Sequence, residues 1–344
     1  MPVLWGRRSW VNNMNKAGGP VVRFGIIGTN FITQRLLSAA ALCEDFALTT
    51  VYSRSLQKAR DFAREWGAPL ALDSLDALAQ SSQVDAVYIA SPNCCHADQA
   101  VVLLGGGKHV LCEKPVAIDS PQLQQMLKAA QQADRVLLEA MRSAHLPALD
   151  ALRAAMQKIG PVRRAQISYC QYSSRYDKFK QGIIENAFDP TLGNGALMDI
   201  GVYCVHLMVM LFGMPRDICA KGWFLPRSID AYGNAICCYD GMQVQLAYSK
   251  IHQSNSPGEI QGEQGTVFFT PTATPSSIWV EYNDGRREDI PLRQEPQDMV
   301  YELRRFIRLI QTGEPPNRWQ AYSVQSMQIL DEMRRQIGIN FTTR

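Results

Sequence analysis

The sequence predicts an α/β protein in two parts, a doubly wound parallel sheet followed by an α+β domain with a large, mostly antiparallel open sheet. Three observations predict it. Short apolar runs alternate with helical stripes over residues 21–141, the rhythm of a parallel sheet with crossover helices. After about residue 142, strands follow one another through turns such as Tyr239-Asp240-Gly241 and Asn283-Asp284-Gly285, the rhythm of an antiparallel sheet. The apolar run Val110-Leu111-Cys112 ends abruptly in Glu113-Lys114-Pro115. Open α/β sheets place their ligands just past such strand ends.

Residues 1–20 carry Arg7-Arg8 and finish in the breaker cluster Ala17-Gly18-Gly19-Pro20, which reads as a loose leader. No long apolar segment or small-residue cleavage site follows, which disfavours a secretory signal. Val21-Val22-Arg23-Phe24-Gly25-Ile26-Ile27 is the first strand, Gly28-Thr29-Asn30 its turn, and Phe31 opens a helix. Such a turn exposes N–H groups, and the helix start favours an anion, so this unit can cradle a phosphate. Against G-x-G-x-x-G, Asn30 replaces the second glycine and Thr33 the third. Asn tolerates a left-handed backbone, which keeps the turn feasible. Taken alone, the turn differs little from any βα connection.

The second strand, residues 47–52, ends at Ser53-Arg54, and Ser55 is placed to cap the next helix. An NAD site needs an acid here for the ribose 2′-hydroxyl. Ser53, Arg54 and, one turn on, Lys58 suit the 2′-phosphate of NADP instead. The competing reading of Arg54 is a solvated charge at the helix start. Strand 84–90 ends in Ser91-Pro92-Asn93, with His96 at the next helix. Ser120 is read as the N-cap of helix 120–133, with Pro121 at its first position. The second part, residues 142–318, holds strands near 163–172, 218–224, 235–239, 242–250, 259–261, 266–270 and 277–281, and a C-terminal helical segment fills 319–344.

Composition bounds the function classes. The 344 residues are 46% apolar and 19% charged, as in an ordinary globular protein. A net charge of +3 gives no footprint for nucleic acid or an acidic membrane, and no apolar run reaches the ~18 residues of a span. Nine cysteines, an odd count without Cys-x-x-Cys spacing, fit reduced thiols in a cytoplasmic setting. The five histidines are scattered, and Cys94-Cys95-His96 is too contiguous for one tetrahedral ion, so no metal site is expected.

Phe24-Gly25-Ile26-Ile27-Gly28-Thr29-Asn30, Val84 to Asn93 with His96, Val110 to Pro115, and Gly195-Ala196-Leu197-Met198-Asp199-Ile200-Gly201-Val202-Tyr203 together resemble the Gfo/Idh/MocA family of NAD(P)-dependent oxidoreductases. The likeness is nearest to the branch of dimeric dihydrodiol dehydrogenase and uncharacterised bacterial oxidoreductases. It covers residue 21 to about 205, and Gln261-Gly262-Glu263-Gln264-Gly265-Thr266 extends it towards the end. It implies a Rossmann domain, a second domain whose open sheet often forms a dimer interface, and a catalytic lysine at Lys114 beside the nicotinamide. The family's Asp-x-Gly-x-His has Tyr203 in place of its histidine here, as in the sugar and dihydrodiol branches.

The resemblance implies hydride transfer at a hydroxyl or carbonyl carbon of a sugar, cyclic polyol or dihydrodiol, with NADP the cofactor that Ser53 and Arg54 favour. Lys114 would hold the substrate oxygen and Tyr203 relay the proton, since a neighbouring ammonium favours ionisation of a phenol. Asp199, four residues before Tyr203, shares its helical face and could orient Lys114. Without the motif, Asp199 reads as a helix N-cap and Tyr203 as a core tyrosine with its hydroxyl satisfied. Gly28, Thr29, Asn30, Phe31, Ser53, Arg54, Lys58, Ser91, Pro92, Asn93, His96, Glu113 and Lys114 are the cofactor candidates. Arg142, His145, Tyr172, Arg175 and Tyr176 are the substrate candidates, and His206 is assigned to packing. Two other readings stay open: an NADP(H) sensor without catalysis, and glycoside cleavage through transient oxidation with retained NAD.

Overall fold

The computed structural model describes residues 20–341, so all but the last residue of the expected leader lies outside the described residues. The first sheet contains β1 (Val22–Ile27), β2 (Phe46–Tyr52), β3 (Leu70–Leu72), β4 (Ala86–Ile89), β5 (His109–Glu113) and β6 (Leu137–Ala140). All pairs are parallel, in the order β3-β2-β1-β4-β5-β6. Strand order reverses between β1 and β4, and a crevice opens at such a switch point. The crossover helices are α1 (Phe31–Ala40), α2 (Leu56–Trp66), α3 (Leu75–Gln80), α4 (His96–Gly105) and α5 (Ser120–Ala133). Both faces of the sheet are covered, which is why β2 and β4 are buried along their whole length. Asp119, rather than Ser120, caps α5 by accepting from the Gln122 amide at 2.9 Å; Ser120 is already helical.

The second part opens with α6 (Pro147–Met156), β7 (Val162–Cys170) and α7 (Tyr176–Lys180). A π-helical turn, Leu197–Gly201, leads into α8 (Val202–Phe212). The strands β8 (Asp217–Leu225), β9 (Ile229–Tyr239), β10 (Met242–Ser249), β11 (Gly258–Gly262), β12 (Gly265–Thr270), β13 (Ser277–Tyr282) and β14 (Arg287–Ile290) follow. With β7 they form an eight-stranded sheet in the order β14-β13-β12-β11-β7-β10-β9-β8. Only the central β7–β10 pair is parallel.

Two helices end the described chain, α9 (Met299–Thr312) and α10 (Asn317–Ile337). The sequence places α9 with the second domain, but its apolar face belongs to the first. Met299, Leu303, Phe306 and Ile307 are fully buried among Phe24, Leu36, Leu37 and Phe46. The rings of Phe24 and Phe306 lie 5.9 Å apart. The physical reason is that β1 and α1 leave an apolar surface that a helix must cover, and α9 is the helix that covers it. The chain thus returns to the cofactor half and clamps it to the sheet domain.

Candidate active site

A cleft of about 720 Å³ lies where the carboxyl edge of the parallel sheet faces the second domain. Gly28 permits the turn at its floor. Its φ is +99°, and a Cβ there would sit 2.5 Å from the Ala90 carbonyl oxygen, so glycine is required twice over. Asn30 departs from expectation. Its backbone is extended, not left-handed, and it works as the N-cap of α1. Its Oδ1 accepts from the amides of Ile32 (3.0 Å) and Thr33 (3.3 Å), and its Nδ2 donates to the Ala90 carbonyl at 2.8 Å. Thr33 spends its hydroxyl on the Gly28 carbonyl at 2.9 Å. Among the described residues no hydrogen bond uses the Thr29, Asn30 or Phe31 amides, which is what a phosphate cradle needs. Phe31 lies 68% exposed at the cleft mouth.

Ser53 and Arg54 sit at the end of β2, with Ser53 Oγ accepting from the Ser55 amide. Arg54 and Lys58 are exposed, without an acidic partner among the described residues, and Arg54 lies close enough to Cys95 to influence its thiol. A polar turn with free amides, and two uncompensated cations beside it, fits a dinucleotide with a 2′-phosphate.

The β4 end is held by its neighbours. His96 is fully buried, its Nδ1 2.9 Å from the Pro115 carbonyl and its Nε2 3.0 Å from the Ser91 carbonyl. Burial pulls its pKa down. It therefore splices the Ser91-Pro92-Asn93 loop to the Glu113-Lys114-Pro115 loop. Asn93 Nδ2 donates to the Gly193 carbonyl (3.0 Å) and to Asn194 Oδ1 (2.9 Å), a link across the cleft. Glu113 accepts from the Tyr88 hydroxyl at 2.6 Å and from the Lys114 amide, and burial raises its pKa.

Lys114 Nζ donates to Asp199 Oδ1 at 2.8 Å and to the Asp199 carbonyl at 3.0 Å. Burial works against the ammonium, yet Asp199, Tyr203 and Glu113 hold its pKa above that of an ordinary lysine. Burial likewise works against Asp199, but Lys114 and Lys250 pull its pKa far below the usual carboxylate range. Asp199 makes no helix-capping bond. Its side chain and that of Tyr203 both meet Lys114, the carboxylate by a hydrogen bond and the phenol by its ring, and a π turn runs between the two residues.

The glycines of this motif answer to packing. A Cβ on Gly195 would fall 1.7 Å from Asp230 Oδ1, and one on Gly201 would meet the Tyr248 ring at 3.0 Å. Asp230 in turn accepts from the Leu197 amide at 2.7 Å, and burial lifts its pKa to about 6.

Tyr203 lines the cleft, and Lys114 Nζ lies 5.1 Å from its ring centroid. Arg142 Nη2 donates to the Tyr203 hydroxyl oxygen at 3.1 Å, and Arg142 Nη1 pairs with Asp298 Oδ2 at 2.5 Å. Asp298 also pairs with Arg35 of α1 at 2.9 Å. Arg142, a substrate candidate, thus serves the tyrosine. Arg175 lines the cleft beside Glu185, with which it pairs at 3.4 Å.

The other substrate candidates are placed elsewhere. His145 stacks on Trp319, and burial drops its pKa to about 3. Tyr172 is tied to Asp177 and Lys180 at the surface. Tyr176 lines a smaller neighbouring pocket with Phe179 and Ile184. His206 packs as read, with Nε2 3.1 Å from the buried Glu139, which also accepts from the Val116 amide and the Ser323 hydroxyl. Sequence reasoning missed Lys250, Asp298, Asn186 and Asn194, because a polar residue outside any motif reads as solvated. Among the described residues no cluster of ligands could hold a metal ion.

A dinucleotide cradle facing a lysine, a carboxylate and a phenol defines the class of a nicotinamide-dependent oxidoreductase. Residues 22–141 match the family model described as "Oxidoreductase family, NAD-binding Rossmann fold", and residues 151–268 match the GFO/IDH/MocA C-terminal domain. The chain belongs to the Gfo/Idh/MocA oxidoreductase family. It is 46% identical over 321 residues to scyllo-inositol 2-dehydrogenase (NADP(+)) IolU of Bacillus subtilis (strain 168), covering 93% of this chain and 98% of that protein. It is 29% identical to trans-1,2-dihydrobenzene-1,2-diol dehydrogenase of Xenopus tropicalis, covering 86% and 92%. Among solved structures, KijD10, a 3-ketoreductase from Actinomadura kijaniata in complex with NADP and TDP-benzene, superimposes with a TM-score of 0.82 at 25% identity, covering 92% of this chain and 98% of that one.

Proposed function

We propose that the chain is an NADP-dependent dehydrogenase/reductase of a ring hydroxyl, with a cyclic polyol or sugar as substrate and Lys114 and Tyr203 as its catalytic residues. The observation that carries this is the Lys114–Asp199 pair at 2.8 Å, set beside an Arg142-held tyrosine in the cleft at the sheet's carboxyl edge. The nicotinamide, when bound, exchanges hydride with the reacting carbon. Lys114 remains an ammonium through the neutral range, because its pKa is raised. It is therefore a hydrogen-bond donor to the substrate oxygen rather than a base. The proton moves at the Tyr203 hydroxyl oxygen. In oxidation a phenolate there, faced by the Arg142 guanidinium, takes the alcohol proton; in reduction the phenol returns it.

Arg54 and Lys58 support NADP over NAD, as does the cofactor in the name of the 46% identical relative. Asn186, Asn194, Glu185 and Arg175 line the substrate end, and such groups suit a ring bearing several hydroxyls. This favours a polyol or sugar over an apolar dihydrodiol. The nine cysteines are free thiols, in keeping with a cytoplasmic location. Trp223 and Ile236, 61% and 42% exposed on β8 and β9, support a homodimer through the open sheet, which light scattering in solution tests.

The test is a screen of inositols, sugars and diols with NADP, run on the wild type and on Lys114→Ala. Turnover on a polyol or sugar is expected, with kcat lowered by about 10²–10⁴ in the variant and NADPH still bound. Wild-type-like turnover in the variant removes Lys114 from the mechanism. Tight NADPH binding without turnover on any compound supports a sensor instead.

A further inference from the structure

Lys250 follows the last residue of β10, and its amide donates to the Ala231 carbonyl at 2.9 Å, so its backbone is anchored to β9. Its side chain is 2% exposed. Its ammonium has three neighbours, an acid, a carbonyl and a ring. It pairs with Asp199 Oδ2 at 3.0 Å, donates to the Ala187 carbonyl, and lies 4.8 Å from the centroid of the Phe188 ring. Asp199 gives its other oxygen to Lys114 at 2.8 Å. One carboxylate thus stands between two ammonium groups, and both its oxygens are pinned.

We propose that Lys250 is a positioning residue for the oxidoreductase site. Its ammonium fixes the plane of the Asp199 carboxylate so that Oδ1 is presented to Lys114, and it ties this pair to the segment 184–194, which lines the cleft. The proposal rests on the catalytic reading of Lys114 given above. Its physical basis is the charge balance. One carboxylate cannot neutralise two ammonium groups, so the trio keeps a net positive charge, and of the two ammonium groups Lys114, 15% exposed against 2% for Lys250, is the one that can meet an incoming oxygen. Buried charges of this kind persist only when paired and hydrogen-bonded. Without Lys250, Asp199 is free to turn both oxygens towards Lys114, and the Ala187 carbonyl loses its donor.

The experiment compares full-length wild type with Lys250→Met, by side-chain ¹⁵N-lysine NMR and by steady-state kinetics. The wild type should give ammonium signals from Lys114 and Lys250 that are protected from solvent exchange, assigned through Lys114→Met and Lys250→Met and distinct from that of the buried Lys108. In Lys250→Met the Lys114 signal should shift and lose protection. Turnover should fall roughly 10–100-fold, the scale of a catalytic group misplaced by about an ångström. NADPH affinity should change by less than about twofold, because no cofactor candidate touches Lys250. Lys250→Arg should recover much of the loss, which a purely packing role would not produce. A folded Lys250→Met with an unchanged Lys114 signal and unchanged kcat overturns the proposal. Should that variant not fold, Lys250→Gln carries the same two readouts. If the wild type itself turns over no substrate, the catalytic reading fails, while the NMR comparison still decides whether Lys250 positions Lys114.

Discussion

The two walls of the cleft hold their polar groups in different ways. On the parallel-sheet wall, Asn30, Asn93, His96 and Glu113 are fixed mainly by neutral bonds to backbone and side-chain groups. On the opposite wall, Asp199 and Tyr203 are backed by Lys250, Arg142 and Asp298, a set held by charge–charge contacts between 2.5 and 3.0 Å. The first arrangement makes a shape, with amides and cations waiting at its rim for a large anionic cofactor. The second makes a field, in which cations face one phenol and one carboxylate. Lys114 is the exception that joins them: its backbone belongs to the first wall and its side chain to the second.

The comparison breaks most readily at the tyrosine. If the second wall serves chemistry, Tyr203→Phe should lower kcat by roughly 10²-fold with little change in NADPH affinity, as expected for loss of an acid–base group. The pH–rate profile sharpens this. Lys114, with its raised pKa, stays charged well beyond neutrality, so any limb between pH 6 and 9 should belong to another group and persist in Lys114→Met. A limb that survives in Tyr203→Phe assigns the proton to another group.

The first wall should respond in binding instead. Arg54→Ala is expected to weaken NADPH by roughly 10–100-fold and NADH by far less, since a charged hydrogen bond is worth ~1.5–3 kcal/mol. Equal weakening of both cofactors, read by fluorescence titration, would place the 2′-phosphate elsewhere. The smallest effect belongs to Asn30→Ala, which removes a helix cap worth ~1 kcal/mol. A lowered melting temperature with kcat nearly unchanged is expected, and a large loss of kcat would move Asn30 from shape into chemistry.

The cofactor half was legible because its signals are local. Buried parallel strands are apolar runs, and each ends in a recognisable polar turn. β3 escaped notice because it is three residues long with Leu70 37% exposed, and β14 because Arg287–Ile290 is a charged edge strand. The site was legible only in part. Lys114, Asp199 and Tyr203 stand in short motifs, whereas Lys250 and Asp298 are ordinary polar residues far along the chain. Their meaning arises from 51-residue and 156-residue separations to Asp199 and Arg142, which no local pattern encodes. Asn30 was recognised as the departure in the glycine turn but assigned the wrong backbone, since a capping asparagine and a left-handed one look alike in sequence.

What the chain determined by itself was the alternation of strands and helices, the glycine turn after the first strand, and the lysine at a strand end, because each is written in a short stretch of sequence. Tertiary structure alone decided which charges meet. It brought the end of β10, the π turn and the β5 loop to one point, set one carboxylate between two ammonium groups, and carried α9 back to cover β1 and place Asp298 beside Arg142. The physical reason is range. Apolar periodicity and turn chemistry act over a few residues, while the pairing of buried charges is selected only once packing has removed the water that would otherwise satisfy each of them.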